Sequence, residues 1–146
     1  MFVTEDKDKS MNKGHLSRND IVLTSRGTLG NVALYDKHIG YENVRINSGM
    51  LIIRPKTKRL SPYFIYALLK SSYMKAAIEQ FRSGSAQPQL PIKDLQKITF
   101  EIPESDAVLG SLDSQFLSIE EQISINNNEI DKLKELAGIL LAELSR

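Results

Sequence analysis

The feature that most constrains this chain is an apolar seam in its last forty residues. Leu109, Leu112, Phe116, Ile119, Ile123, Asn126, Ile130, Leu133, Ala137, Leu140 and Leu144 follow one another at alternating steps of three and four, and nine of the eleven are large apolar side chains. That spacing is a heptad seam kept up over five repeats, with no proline to break it. A helix from about residue 107 to 145 would be roughly 55–60 Å long. A domain of about 100 residues is nearer 30 Å across and cannot bury such a rod along its whole length. The seam therefore predicts a second helix, from another copy of the chain or from another subunit.

The triplet Asn126-Asn127-Asn128 admits two readings. One is a turn that folds the segment into a helical hairpin. The other, favoured here, is a continuous helix, because the heptad phase runs through the triplet without Gly or Pro. A single seam Asn is a known means of fixing register at some cost in stability. With Leu109, Phe116, Ile123 and Ile130 at a positions, Glu120 and Lys134 are e positions. A parallel pair gives Glu120 no cationic neighbour. An antiparallel pair crossing near residues 127–128 sets Glu120 against Lys134 of the other chain, and the prediction is an antiparallel homodimer.

Charge divides the chain at the same place. Residues 1–105 carry 16 Lys/Arg against 10 Asp/Glu, and residues 106–146 carry 3 against 8. A basic front joined to an acidic tail suggests two tasks, one of them facing a polyanion. The reading is a domain over 1–105 and a spacer or dimerisation helix over 106–146. With no cysteine, disulfides and Cys-based zinc sites are excluded. No apolar run of 18 residues and no signal-peptide core occur, so a soluble, cytoplasmic protein without membrane association is expected.

Residues 1 to about 15 are polar without an apolar period and read as an irregular lead-in. Asp20-Ile21-Val22-Leu23-Thr24 and Asn31-Val32-Ala33-Leu34-Tyr35-Asp36 read as two strands around a Gly-containing turn. A third strand, Gly49-Met50-Leu51-Ile52-Ile53-Arg54, stops at Pro55. Ser61-Pro62 marks a helix start, and the apolar period from Phe64 to Phe81 carries one helix to about Ser83-Gly84. Ile92-Lys93-Asp94-Leu95 reads as a short turn or helix. Lys97-Ile98-Thr99-Phe100-Glu101-Ile102 alternates like a strand closed by Pro103. The fold class predicted is α+β: a small β-rich domain with peripheral helices, followed by one long coiled-coil helix.

An ordered series of segments then resembles a known family. Asp20-Ile21-Val22-Leu23-Thr24 with Arg26-Gly27-Thr28-Leu29-Gly30 resembles the Asp-Ile-Leu segment and Gly-x-x-Gly turn of the target-recognition domains of type I restriction–modification specificity subunits. Gly49 to Pro55 and Ser61 to Leu69 look like the second half of such a domain. Ser83-Gly84-Ser85-Ala86-Gln87-Pro88-Gln89-Leu90 is similar to its Gly-Ser-x-x-x-x-Leu segment, and Ile102-Pro103 to its junction with a long helical spacer. The series covers residues 16–145.

The resemblance implies a recognition domain that reads one half of a bipartite site in double-stranded DNA. It also implies a spacer that sets the gap between halves and docks adenine methyltransferase subunits, with a translocating nuclease subunit in the complete complex. A full specificity subunit carries two such units, and several dozen residues ordinarily precede the segment matched here. The expectation is a truncated product or a fragment. Two alternatives stay open: a coiled-coil assembly or inhibitory remnant without DNA contact, and the recognition domain of a fused restriction–methylation enzyme.

Residue chemistry supplies candidates for DNA contact. Arg26 and Arg45 suit bidentate pairing with guanine, and Asn43, Gln87 and Gln89 with adenine. Lys56, Lys58 and Arg59, on one short loop, suit phosphates, as do Arg82, Ser83 and Ser85. For Arg82, Ser83 and Ser85 the alternative is a Gly-containing loop that caps the preceding helix, and for the others a solvated surface side chain. The dimerisation candidates are the seam residues Leu109, Leu112, Phe116, Ile119, Ile123, Asn126, Ile130, Leu133, Leu140 and Leu144.

Catalysis is not expected. His15 and His38 stand alone in sequence, without ligand-spaced carboxylates, so neither a metal nor another cofactor is implied. Asp20 and Glu101 lack the Glu-x-Lys companion of nuclease sites, since Ile102 and Pro103 follow Glu101. The Asp/Asn-Pro-Pro-Tyr/Phe motif of methyl transfer is missing, and Gly27-x-x-Gly30 is too short to cradle a phosphate.

Overall fold

A computed structural model describes residues 4–84 and 87–144. Its elements run α1 (Glu5–Ser10), β1 (Asp20–Thr24), β2 (Val32–Tyr35), β3 (Met50–Ile53), α2 (Pro62–Lys70), α3 (Ser72–Phe81), α4 (Ile92–Leu95) and α5 (Asp106–Leu144). The fold is α+β, with the long C-terminal helix that the heptad seam predicts.

The sheet has the order β2-β1-β3, and β1 is antiparallel to both neighbours. Side chains alternate across a strand, so register decides which residues share a face. Ile21 sits opposite Leu34 and Ile53, and Leu23 opposite Val32 and Leu51. This is the covered face. Ile21 and Leu23 are fully buried there, with Tyr63, Leu69, Met74, Ile78 and Leu90 packed into the same core.

Ser61 starts α2 as predicted, its hydroxyl accepting from the Phe64 N–H at 3.1 Å. The expected single helix is two. Ser71 adopts extended backbone, closes α2 through its N–H on the Leu68 carbonyl at 3.1 Å, and caps α3 by accepting from the Met74 N–H at 3.2 Å. The resulting bend lets both helices lay apolar faces on one small sheet. Residues 97–102 form no strand. Ile98 and Phe100 pack against the core, so the alternation records one-sided burial and not ladder pairing. The lead-in is partly helical: Thr4 caps α1 by accepting from the Lys7 N–H at 3.3 Å.

Helix α5 spans 39 residues without interruption, through 126–128, so the hairpin alternative is excluded. Asn126 is bonded within its own helix, its Oδ1 accepting from Gln122 Nε2 at 2.8 Å. The start of the seam, Leu109, Leu112 and Phe116, is not free for another chain, whereas Ile119 and Ile123 are exposed. Leu109 is buried to 2% exposure, and Phe116 meets Phe64 edge to face with ring centres 5.4 Å apart. Asp113 accepts from both the N–H and the hydroxyl of Ser61, at 3.1 and 2.5 Å. The domain thus covers the helix that leaves it, along about half its length. Beyond Ser124 every described residue of α5 is exposed, including Ile125, Ile130, Leu133, Leu136, Ile139, Leu140, Leu141 and Leu144. Among the described residues, no helix is long and apolar enough to cross a membrane.

Candidate nucleic-acid interface

Three loops converge at the end of the sheet where β1 finishes and β2 and β3 begin. Residues 25–31 form the β1–β2 turn, and Gly27 and Gly30 take the left-handed backbone there, with φ of 75° and 78°. Residues 47–49 lead into β3 and are fastened to the first loop, because the Gly49 carbonyl accepts from the N–H groups of Ser25 and Arg26 at 2.8 and 3.2 Å. The loop after α3 closes on the other side. Its Pro88 carbonyl accepts from Gly27 N–H at 3.0 Å, and Leu90 N–H donates to Ser25 at 2.9 Å. Ser83 and Gln89 exchange backbone hydrogen bonds at 3.0 and 2.8 Å, which pins the base of that loop.

Arg26 is therefore held between the other two loops, bridged in backbone to Gln89 and bonded to Gly49. Arg26, Asn47, Ser48, Arg82, Ser83, Gln87 and Gln89 are all exposed. Residues 25–31, 47–49 and 82–90 contain two arginines and no Asp or Glu. Arg82 is partly occupied by Glu79 of its own helix at 3.3 Å. Ser85 lies outside the described residues. The sequence drew attention to Arg26, Gln87 and Gln89 singly; the fold brings them together and adds residues 47–49, whose only sequence signal is the turn-forming Asn-Ser-Gly.

The remaining candidates lie elsewhere. Arg45 is an internal tie: its guanidinium holds the Asp8 carboxylate and donates to the carbonyls of Asp8 and Met11 at 2.6 Å and of Lys13 at 2.7 Å. With its side chain at 9% exposure it anchors the end of α1, and its donors are engaged within the chain. Asn43 is exposed, in left-handed backbone at φ 55°, on the long loop that returns from the far end of the sheet. Lys56 and Lys58 are exposed beyond the far end of β3. Arg59, beside them, is drawn to the start of α5, donating to Asp106 at 3.0 Å and to the Glu104 carbonyl at 2.8 Å.

Two buried carboxylates tie the far end of the sheet together. Asp20 is buried and accepts from Arg54 at 2.6 and 2.7 Å and from Ser17 N–H at 2.7 Å. Burial pushes its carboxyl pKa up, but the bonds from Arg54 and Ser17 outweigh that and hold it below the ordinary range. Asp36 is also buried and accepts from His38 N–H at 3.0 Å and from Ser124 of α5 at 3.2 Å. Lys37 pairs with Glu121 at 2.6 Å, which raises the lysine and lowers the glutamate. A cleft of about 240 Å³ lies here, between β2 and α5. Among the described residues, no group of three or more His, Cys, Asp or Glu could hold a metal ion.

A small α+β head presenting an acid-free, arginine-bearing set of loops on a long projecting helix has the build of a recognition module. The model of the type I restriction modification DNA specificity domain matches residues 3–135, and the chain belongs to that family. Its role is thus DNA recognition in type I restriction–modification. No curated protein matches the chain.

Proposed function

We propose that the chain is a non-catalytic module that reads double-stranded DNA through the three-loop end of its sheet and directs adenine methyltransferase subunits to that site. Arg26 reads guanine, and Gln87 and Gln89 read adenine, each by the bidentate pairing their side chains allow. Arg82 and Ser83 contact phosphates and position the duplex, and Lys56 and Lys58, exposed beyond the far end of β3, contact phosphates farther from the bases that are read. The observation that carries this reading is the convergence of the exposed Arg26, Gln87 and Gln89 on loops that themselves contain no Asp or Glu. The distal half of α5 serves assembly. Its exposed residues from Ile130 to Leu144 pair with an antiparallel second copy and face the methyltransferase. The nuclease subunit joins the same frame in the complete complex.

Titration of fluorescent random-sequence duplex with the chain, alone and with methyltransferase subunits, tests the reading. Binding that falls steeply with salt supports it, because phosphate contacts release counterions. The exposed distal seam also suits a pure assembly protein. Methyltransferase binding with no change in DNA affinity would favour that alternative.

A further inference from the structure

We propose that Asn47 is a specificity-determining side chain that reads adenine in the base pair next to the one read by Arg26. This inference rests on the DNA-reading function proposed above. Asn47 and Arg26 are 21 positions apart in sequence, yet both lie against Gly49. The Gly49 carbonyl accepts from Ser25 and Arg26 N–H, and the Gly49 N–H donates to Asn47 Oδ1 at 2.8 Å. A Cβ added to Gly49 would stand 3.3 Å from Asn47 Oδ1 and 3.7 Å from the Arg26 Cβ. Glycine at this position thus leaves open the space that the exposed Asn47 and Arg26 side chains flank.

The chemistry of each complements a different purine. The Arg26 guanidinium carries five donors and no acceptor, which fits the two acceptors of guanine in the major groove. Asn47 spends one lone pair of Oδ1 on its own turn. The other lone pair and both Nδ2 hydrogens remain, the acceptor and donor that the N6 amino group and N7 of adenine require. The Met50 N–H bond to the Asn47 carbonyl at 3.2 Å fixes the backbone that presents this amide, so little freedom is lost on binding.

An asparagine that serves only its turn is replaceable by any short side chain with an acceptor oxygen. Asn47→Ser and Asn47→Asp keep such an oxygen and remove the amide donors. The full chain with its methyltransferase subunits should be used to select from a randomised duplex library, as wild type, Asn47→Ser, Asn47→Asp and Arg26→Ala. Asn47→Ser should flatten one adenine column by at least about tenfold. The melting temperature and the other columns should hold, and the flattened column should adjoin the one lost in Arg26→Ala. Unchanged columns in both Asn47 variants, or a lost column distant from that of Arg26, would overturn the inference and leave the DNA-reading function standing. A wild-type selection with no base preference would overturn both.

Discussion

Lys70, at the end of α2, holds Glu120 of α5 at 3.3 Å, with its ammonium also 4.6 Å from the centre of the Tyr66 ring. The glutamate that a two-chain argument assigns to Lys134 of a partner thus has a cation in its own chain. Exchanging the pair by Lys70→Glu with Glu120→Lys should restore most of the stability that either single change removes, with a coupling of about 0.2–1 kcal/mol by thermal melts. Glu120→Lys with Lys134→Glu should show no coupling.

The two halves of the seam should respond differently to truncation. Phe116→Ala removes the edge-to-face contact with Phe64 and should destabilise the monomer by about 2–4 kcal/mol, less than a fully buried Phe because Phe116 is only half-buried. Leu133→Asp with Leu140→Asp touches exposed positions and should leave monomer stability within about 0.5 kcal/mol of wild type. Sedimentation at tens of micromolar should then show self-association lost in the distal variant. A wild-type monomer under those conditions would contradict the pairing role of the distal helix.

The long helix was legible because its signal repeats over five heptads and survives the one polar seam position. What covers the seam was not legible. Leu109 and Phe116 have the same spacing as Leu133 and Leu140, and only the position of α2 decides that the first pair meets the chain's own domain. Local readings failed where a distant residue decides. Six polar residues make a helix at α1 partly because Arg45, 37 positions beyond Asp8, gathers the carbonyls at its end. The same arginine looks like a base reader by residue type alone, since composition does not say whether a guanidinium faces solvent or carbonyls. The break at Ser71 was hidden because the apolar period runs on across it with neither Gly nor Pro. At the candidate interface, Arg26, Gln87 and Gln89 were visible as residue types, but their assembly depends on the backbone bridge between residues 26 and 89.

Asp20 provides a pH signature. Its carboxyl is held below the ordinary range near pH 4, so its ionised form stabilises the fold above about pH 4, and that contribution is lost as pH falls below it. Asp20→Asn should cost about 1–3 kcal/mol at pH 7, by leaving Arg54 and Ser17 N–H with a poorer partner. The gap between variant and wild type in urea melts should narrow as pH drops from 5 to 3. A constant gap would remove the ion pair from the account.

The basic loop before α2 should act without sequence preference. Lys56→Ala with Lys58→Ala should reduce the log–log salt slope of binding by about two, because each phosphate contact contributes about 0.9. Arg59→Ala should leave the slope unchanged, since its guanidinium is taken by Asp106 and Glu104. An equal loss of slope in Arg59→Ala would place that arginine on DNA.

The central claim is that the end of the sheet around Arg26 chooses the DNA site. Sequencing of N6-methyladenine in cells that express the chain with its methyltransferase subunits tests it directly. A defined methylated sequence should appear with the wild-type chain, and Arg26→Ala, or Gln87→Ala with Gln89→Ala, should relax it at particular positions while methylation continues. The same sequence methylated unchanged by all of these variants, or methylation that ignores the presence of the chain, would contradict the account.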